Sequence, residues 1–449
     1  MSKAKQAILP AYLLLCLLLG GSVQGIWTNA LLQLLAAVIL AWSLLTTEPQ
    51  TMPRAAKGLL WIAGLLVLLF TAQILPLPPS LWTTIPGRDF LAAGFEMLGI
   101  TAPWLPLSLS PYDTCVTAMT LLPPLALLIG MLRLRAWSAS GMLAAILVGT
   151  MASILLGILQ VTSGNGSWYF YRVTNLGASV GAFANANHFA TLLLVSLPVL
   201  AALATTRWRS AEDKQKRSLT GALALAAGAI LMLGLLINAS SAVLLLGLPV
   251  AIGSALLALR LPPRQLRRGL AVIGLLLVIA AAALTTLGKD MPGWGTTASI
   301  DTRVEYWSKT LRAAEDEAFT GSGFGTFQQV YRLYEDPGSI DRFYANHAHN
   351  DYLEIALEGG VPAILLLLLL LVWWVRQGRE AWMSPTGSPE QKAAAVASAA
   401  ILLHSSFDYP LRTTAISAVM AVCLAFLAGA RGARPVDKNE NPAARHATL

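Results

Sequence analysis

Long apolar runs separated by short polar segments dominate the chain. A bilayer-spanning helix needs about 20 mostly apolar residues, and twelve runs approach that length. The predicted spans are roughly 8–24, 26–46, 58–75, 114–132, 140–160, 186–206, 219–237, 241–259, 269–287, 361–375, 393–404 and 413–430. The pattern therefore predicts an all-α polytopic membrane protein with about 12 transmembrane helices.

Composition agrees with this fold class. The 449 residues are 56% hydrophobic and 12% charged, whereas a soluble domain carries roughly a quarter charged residues. The first apolar run follows Lys3 and Lys5 but has no small-residue cleavage site, so we expect a spanning helix rather than a signal peptide. All three cysteines lie in apolar runs, which predicts neither a disulfide framework nor a metal site.

The basic residues predict the orientation. With the N-terminus inside, 22 of the 31 Lys and Arg residues fall in cytoplasmic segments and nine in outer segments. The positive-inside rule explains the net charge of +8 without nucleic acid and predicts both termini in the cytoplasm. The predicted divisions are 1–113 (helices 1–3 and the first outer loop), 114–287 (helices 4–9), 288–360 (the large outer loop), 361–430 (helices 10–12) and 431–449 (a disordered cytoplasmic tail).

The large outer loop has helical periodicity of its own. Ser299 or Asp301 can cap a helix, with Arg303 in its first turn. Its apolar stripe would comprise Val304, Trp307, Leu311 and Ala314. Further helices are predicted over about 326–335 and 349–358, the last ending at Gly359-Gly360. We therefore expect an ordered cap rather than a linker.

Two of the five histidines, His347 and His349, lie near the end of this loop. Histidine titrates near neutral pH, so one imidazole can act as a general base. His349 is better placed, because it precedes Asn350 and a helix start, and Asp351 or Glu354 could orient it. A hydrogen-bonded structural pair is an alternative. A metal site is a weaker alternative, since no His, Cys and Asp set supplies further ligands at clear spacing.

Two arginines on the predicted outer face are candidate anion ligands. Arg172 stands between an aromatic run and the polar start of a span. Arg303 opposes the helix dipole if it lies in a first turn, and an anionic partner would explain it. Guanidinium suits bidentate phosphate recognition. Either arginine could instead be a solvated charge, but together they suggest a diphosphate-carrying substrate presented by the membrane.

Further polar residues mark the ends of two spans. Asn185 can cap the sixth predicted helix, where Asn187 and His188 form a polar start. These side chains could serve the helix alone or contribute to the same cavity. His404 and Asp408 flank a short outer turn, and we expect them on the wall of that cavity.

Several sequence blocks occur in a specific order. They are Phe183-Ala-Asn-Ala-Asn-His-Phe-Ala190, Asp301-Thr-Arg-Val-Glu-Tyr-Trp307, Gly321-Ser-Gly-Phe-Gly325 and His347-Ala-His-Asn-Asp-Tyr-Leu-Glu354, followed by Glu358-Gly-Gly. In this order they resemble the bacterial O-antigen ligase/O-antigen polymerase superfamily, and the segment from His404 to Leu411 resembles part of that group. The likeness is specific for the superfamily but not for the reaction within it.

The resemblance implies a C-type glycosyltransferase architecture, without metal or cofactor, in the bacterial inner membrane. The implied donor is a glycan on undecaprenyl diphosphate, delivered to an active site facing the periplasm. The implied acceptor is lipid A-core, another lipid-linked glycan or a protein hydroxyl, and no nucleic acid takes part. Ligase and polymerase activities are equally favoured, and protein O-oligosaccharyltransferase activity is the alternative within the superfamily.

The resemblance also implies residue roles. The family's essential periplasmic histidine falls on His349 and its large-loop arginine on Arg303, the two catalytic candidates. The candidate substrate-binding residues are Arg172, Asn187, His188, His347, Asn350, His404, Asp408 and Arg412. Many relatives carry Ser-Arg where an outer turn enters the eighth helix, but here that place is Asn238-Ala-Ser-Ser241-Ala. Arg172 or Arg412 would replace the missing arginine, or the diphosphate is handled differently.

Two other function classes fit a polytopic chain. One is a 12-helix transporter of a lipid-linked or sugar substrate, and the other is a non-catalytic scaffold or sensor. Against a transporter, the loop over 47–57 lacks the Gly/Asp/Arg-rich signature usual in major-facilitator carriers, and the spans are nearly free of charge. Transfer of a labelled lipid-linked glycan to a new acceptor would distinguish an enzyme from either class.

The charge distribution makes a topological prediction. A cysteine placed at Ser339, in the large loop, should react with an impermeant thiol reagent in intact spheroplasts, because the loop is predicted to be outside. Mass tagging of the protein measures the reaction. Labelling that requires permeabilisation would reverse the orientation.

Overall fold

The structure is a computed structural model that describes residues 3–22, 26–46, 52–134, 136–164, 166–238, 240–259, 264–265, 268–269, 271–275, 297–339, 345–430 and 432. Most of the predicted ninth span (269–287) and nearly all of the predicted tail (431–449) lie outside these residues.

The N-terminal part is a series of helices with one small sheet. The helices are α1 (Lys3–Leu19), α2 (Trp27–Leu45), α3 (Arg54–Ile74), α4 (Pro79–Trp82), α5 (Asp89–Met97), α6 (Pro111–Thr120), α7 (Leu122–Arg133), α8 (Ala139–Thr162), α9 (Ala186–Ser210), α10 (Lys214–Asn238) and α11 (Ser241–Ala258). Strand β1 (Pro76–Leu77) pairs antiparallel with β2 (Leu105–Pro106), which closes the first predicted outer loop.

The C-terminal part carries the large loop and the last membrane helices. Its helices are α12 (Thr297–Asp316), α13 (Phe327–Tyr331), α14 (Asp351–Met383), α15 (Pro389–His404) and α16 (Thr414–Leu427). A short 3-10 turn, Pro410–Arg412, lies between α15 and α16. Helix α9 packs against α10, α11 and α15, and this packing places the start of α9 beside the turn that follows α15.

Seven helices within the described residues are long and apolar enough to cross a membrane, counting α6 and α7 as one. They are Trp27–Leu45, Arg54–Ile74, Pro111–Arg133, Ala139–Thr162, Ala186–Ser210, Lys214–Asn238 and Asp351–Met383. Shorter apolar helices occupy Ala4–Leu19, Leu245–Ala258 and Thr414–Leu427. The all-α membrane class is confirmed, and the count of twelve spans stays a prediction.

The contacts between helix ends follow the predicted alternation. Ala415 donates its backbone N–H to Gly20 O over 3.0 Å, which joins the predicted outer ends of the last and first spans. Arg133 Nε donates to Ser43 O over 2.8 Å, which joins two predicted inner ends. The structure therefore gathers like ends together, and which end faces the periplasm stays a prediction.

Helix α14 contains a break that the sequence predicted. Gly360 has φ 58° and ψ −158°, a conformation that only glycine adopts readily, so α14 is two helices meeting at a kink. The released backbone is satisfied from outside the helix, because Val361 N–H donates to Ala318 O over 2.8 Å. Pro362 follows, where a missing N–H is tolerated. The expected helix end at Gly359-Gly360 is thus confirmed.

The break also docks the glycine-rich segment of the loop. Leu357 O accepts from Ser322 N over 3.0 Å, and Glu358 O accepts from Gly323 N over 2.9 Å. Gln73 of α3 adds a third bond, from Nε2 to Glu358 O over 2.8 Å. Carbonyls freed at a helix end must find partners when buried, so the break and the loop stabilise each other and join the cap to the membrane helices.

Two predictions about α12 need correction. The helix already includes Thr297, so Arg303 lies in its second turn and the argument from an opposed dipole does not hold. The predicted stripe holds only in part, because Ala314 is buried but Val304 is 55% and Leu311 49% exposed, while Thr310 and Ala313 are fully buried. The buried face is chosen by its packing against α14 and α13 rather than by apolar periodicity alone.

Candidate functional site

Asp408 lies in the turn between α15 and α16 and is fully buried. Its Oδ2 accepts a hydrogen bond from Asn187 Nδ2 over 2.6 Å, and its Oδ1 accepts from Tyr409 N over 2.8 Å. His188 Nε2 lies 3.5 Å from Oδ1. Asn187 and His188 reach the carboxylate because Asn185 caps α9, as the sequence predicted, with its side chain accepting from Asn187 N.

Two side chains from the large loop complete the surroundings of Asp408. His349 Nδ1 lies 3.6 Å from Oδ1, and Arg303 Nη2 lies 3.7 Å from Oδ2. The His349 and Arg303 side chains are 21% and 23% exposed, against 1% for Asp408. The structure therefore brings the two predicted catalytic residues to one carboxylate and leaves them accessible.

The charges at Asp408 are mutually stabilising. Burial by itself raises a carboxyl pKa, but the His188 and His349 rings beside Asp408 hold its pKa well below the ordinary value. At 3.5 and 3.6 Å the ring nitrogens lie beyond good hydrogen-bond distance, so they act on Asp408 chiefly as charges or dipoles. Asp408 is therefore ionised in the folded protein near neutral pH.

His349 has an unusual backbone. Its φ is 50°, the left-handed region, and it is the one non-glycine residue with positive φ in the part of the chain that the structure describes. Such a conformation costs on the order of 1–3 kcal/mol and recurs at functional sites. Trp307 Nε1 donates to His349 O over 3.3 Å, which helps to hold it. The turn aims the imidazole at Asp408 instead of along α14.

Tyr409 is the aromatic centre of the site, and sequence reasoning missed it. Its ring centroid lies 4.7 Å from that of His188, 4.3 Å from His347 and 4.9 Å from His349. Burial raises the pKa of its phenol above the ordinary value. Asn346 Nδ2 donates to the phenol oxygen over 3.0 Å. An aromatic residue beside Asp408 was the only signal in the sequence.

His347 belongs to a different contact set. Its Nδ1 lies 2.7 Å from Glu354 Oε1, and Ala348 N donates to Glu354 Oε2 over 3.0 Å. The expectation that Asp351 or Glu354 orients His349 is therefore wrong, since Asp408 has that place. Helix α14 turns Glu354 toward His347, so proximity in the sequence gave the wrong partner for His349.

Arg412 is held by three carboxylates of α14. Its Nη2 lies 2.9 Å from Glu358 Oε2 and 3.3 Å from Glu354 Oε1, and its Nε lies 3.6 Å from Asp351 Oδ1. Their spacing places them along one face of the helix. Burial lowers the pKa of the guanidinium, but Glu354, Glu358 and Asp351 outweigh burial and raise it above the ordinary value.

The structure places the remaining predicted site residues in different settings. The Asn350 side chain caps α14, accepting from Tyr352 N and Leu353 N. His404 is buried rather than on a cavity wall, and its Nδ1 bonds to Thr191 Oγ1 over 2.6 Å. Asp408 is likewise buried behind the exposed edges of its neighbours. Arg172 is exposed and has no ion pair among the described residues.

The turn that lacks the family's arginine has a supporting role instead. Asn238 Nδ2 donates to Ser179 O and Ala186 O, both over 3.0 Å. Ser240 Oγ donates to Asn187 Oδ1 over 2.7 Å. The turn thus holds Asn187 against the carboxylate that it serves.

Neither proposed replacement for that arginine approaches Asp408. No ion pair within 4.0 Å joins Asp408 to Arg172 or Arg412 in the structure, whereas one joins it to Arg303. No group of three or more His, Cys, Asp or Glu side chains in the described ranges could hold a metal ion. Metal independence stays a prediction.

The comparison with curated proteins gave no match. A family model described as O-antigen ligase matches residues 226–368, a range that contains α12, the histidine pair and the break in α14. This match confirms the resemblance for the sequence blocks between Asp301 and Gly360, and it supports the O-antigen ligase superfamily.

Proposed function

We propose that the protein transfers a glycan from undecaprenyl diphosphate to an acceptor hydroxyl at the periplasmic face of the bacterial inner membrane, in the assembly of O-antigen or another surface polysaccharide. The family match supports a membrane glycosyltransferase of the ligase or polymerase type. The observation that carries the proposal is the convergence of His349 and Arg303 on buried Asp408.

His349 is the general base in this proposal. The Asp408 carboxylate beside Nδ1 favours the proton on that nitrogen, which leaves Nε2 free to accept one. Nε2 takes the proton of the acceptor hydroxyl as the oxygen attacks the anomeric carbon. The bond from that carbon to the diphosphate oxygen breaks, and undecaprenyl diphosphate leaves with the electron pair.

Arg303 stabilises the departing diphosphate. Only Nη2 is engaged with Asp408, at 3.7 Å, so the guanidinium keeps donors that can form a fork on phosphate oxygens. Positioned cations act where charge develops in the transition state. Arg172, exposed in the loop between α8 and α9, is proposed as a second ligand of the donor.

An apolar groove beside the site supports a lipid-linked donor. It has a volume of about 320 Å³ and runs between α3, α7, α14 and α16. Asp351 and Arg412 lie among its otherwise mostly apolar lining residues. The apolar length of the groove matches the lipid chain of such a donor, whereas the Arg412 guanidinium at its end is already paired with carboxylates of α14.

Arg412 is a positioning residue in this proposal. It ties the turn that carries Asp408 to the helix that His349 precedes, through Glu358 at 2.9 Å and Glu354 at 3.3 Å. Glu354 in turn holds His347. The guanidinium is occupied by these carboxylates, so we assign the diphosphate to Arg303 and Arg172.

The histidines give the first prediction of this proposal. His349→Ala should lower glycan transfer by about 10²–10⁴-fold, the usual loss on removing a general base, while donor binding persists. His347→Ala should be milder, because that ring packs on Tyr409 and pairs with Glu354. Purified protein with synthetic lipid-linked glycan measures both. Near wild-type turnover of His349→Ala would make this imidazole structural.

The proposed mechanism also predicts a pH dependence, which the same assay measures. The activity should rise with pH as the imidazole base loses its proton and then level off, because the base acts only when neutral. Asp408 should not add a second titration step to this pH profile, because its low pKa keeps it ionised over the whole range. Asp408→Asn should lower turnover, because a neutral amide beside Nδ1 no longer favours the proton on that nitrogen. Unchanged turnover of Asp408→Asn would remove the proposed role of Asp408 in orienting His349.

Arg303 is tested by keeping its charge. Arg303→Lys should lose most activity with unchanged folding, because an ammonium does not reproduce a bidentate fork. Arg312→Lys is the matched control, since Arg312 is exposed on the same helix. Turnover and donor KM measure the effect. Full activity of Arg303→Lys would reduce Arg303 to a general surface charge.

Arg412 is tested through stability. Arg412→Gln should cost about 3–5 kcal/mol, the usual loss when one partner of a buried ion pair is removed, and so lower the unfolding temperature. Arg412→Lys should recover part of that temperature, and donor KM should change less than kcat. A large rise in KM at unchanged unfolding temperature would instead make Arg412 a donor ligand.

A further inference from the structure

A second groove lies at the opposite end of α9 from Asn187 and His188. It has a volume of about 500 Å³ and opens between α9 and α10, with Leu147 of α8 at its base. Its apolar lining comprises Leu147, Leu200, Leu203, Ala204, Leu219 and Leu223, with Ala211, Ala224 and Ala227.

The mouth of this groove is basic. Arg207 and Lys216 line it, together with Ser210 and Thr220. Arg207 has no carboxylate within 4.0 Å among the described residues. Lys216 is shared with Glu212 at 2.7 Å and Asp213 at 3.8 Å, both exposed to solvent. The connecting segment 207–217 carries five basic and two acidic residues, so its net charge is positive.

A tryptophan indicates where the mouth of the groove lies relative to the bilayer. Trp208 follows Arg207 and is 48% exposed, and exposed tryptophan is typical of the membrane–water interface. The groove therefore enters the hydrocarbon region from the interface, with its cations at headgroup level. Basic pockets between membrane helices at this level suit anionic lipid headgroups.

We propose that this groove binds one anionic glycerophospholipid. An acyl chain lies along the leucines and alanines between α9 and α10, and the headgroup phosphate meets Arg207 and Lys216. The basic mouth should favour anionic over zwitterionic lipids, because a zwitterionic headgroup carries a cation that the two basic side chains repel. The inference does not depend on the transfer reaction.

The probe is phosphatidylglycerol, with phosphatidylcholine of the same acyl chains as the comparison. Native mass spectrometry of the full chain, titrated with each lipid in detergent, counts the molecules retained. Wild type should retain one phosphatidylglycerol with at least tenfold preference. Arg207→Gln combined with Lys216→Gln should weaken that binding about tenfold, since each basic residue contributes on the order of a few-fold or more near an anionic lipid.

Two further variants separate the headgroup from the chain. Ala224→Trp should lower phosphatidylglycerol retention by filling the groove while both cations remain. Arg376→Gln combined with Arg379→Gln is the control, because both arginines are exposed on α14 away from the groove and should leave retention unchanged. Equal retention of both lipids by wild type, or equal phosphatidylglycerol retention by the double variant, would overturn the proposal. So would a dimer that excludes lipid from the groove.

Discussion

The buried charge of Asp408 is the constraint on which the site depends. A carboxylate removed from water costs several kcal/mol unless it is paired and hydrogen-bonded. Here the compensation comes from Asn187 and His188 of α9, from Arg303 of α12, and from His349 ahead of α14. Elements distant in the chain must therefore pack together before the charge is tolerated, so the site and the tertiary fold form together.

A second ionic cluster secures the same turn from its other side. Arg412 lies only four residues after Asp408, yet it faces Glu354 and Glu358 of α14. One short turn thus presents an anion to the accessible site and a cation to the helix beneath it. Tyr409 stands between them and packs against three imidazoles. The ion pairs of Asp408 on one side and of Arg412 on the other therefore hold the turn in place.

The break in α14 explains how a membrane helix can begin inside the cap. A regular helix would satisfy the carbonyls of Leu357 and Glu358 internally, whereas the kink at Gly360 presents them to the Ser322–Gly323 backbone. Glu358 then uses its carboxylate for Arg412 and for the N–H of Gly325 at 2.9 Å. The glycines of the loop motif are therefore explained by docking as well as by turning.

The sequence by itself determined the membrane class, most of the helices and the resemblance to the superfamily, because hydropathy, capping residues and motif order are local properties. It also singled out His349 and Arg303, which the structure brings to Asp408. It could not determine charge partners. Glu354 was the near neighbour of His349, but helix geometry turned it to His347. Nothing in the sequence paired Arg412 with an anion, whereas in the structure three carboxylates of α14 contact its guanidinium. Which ions meet depends on helix packing and burial, and only the tertiary structure decides those.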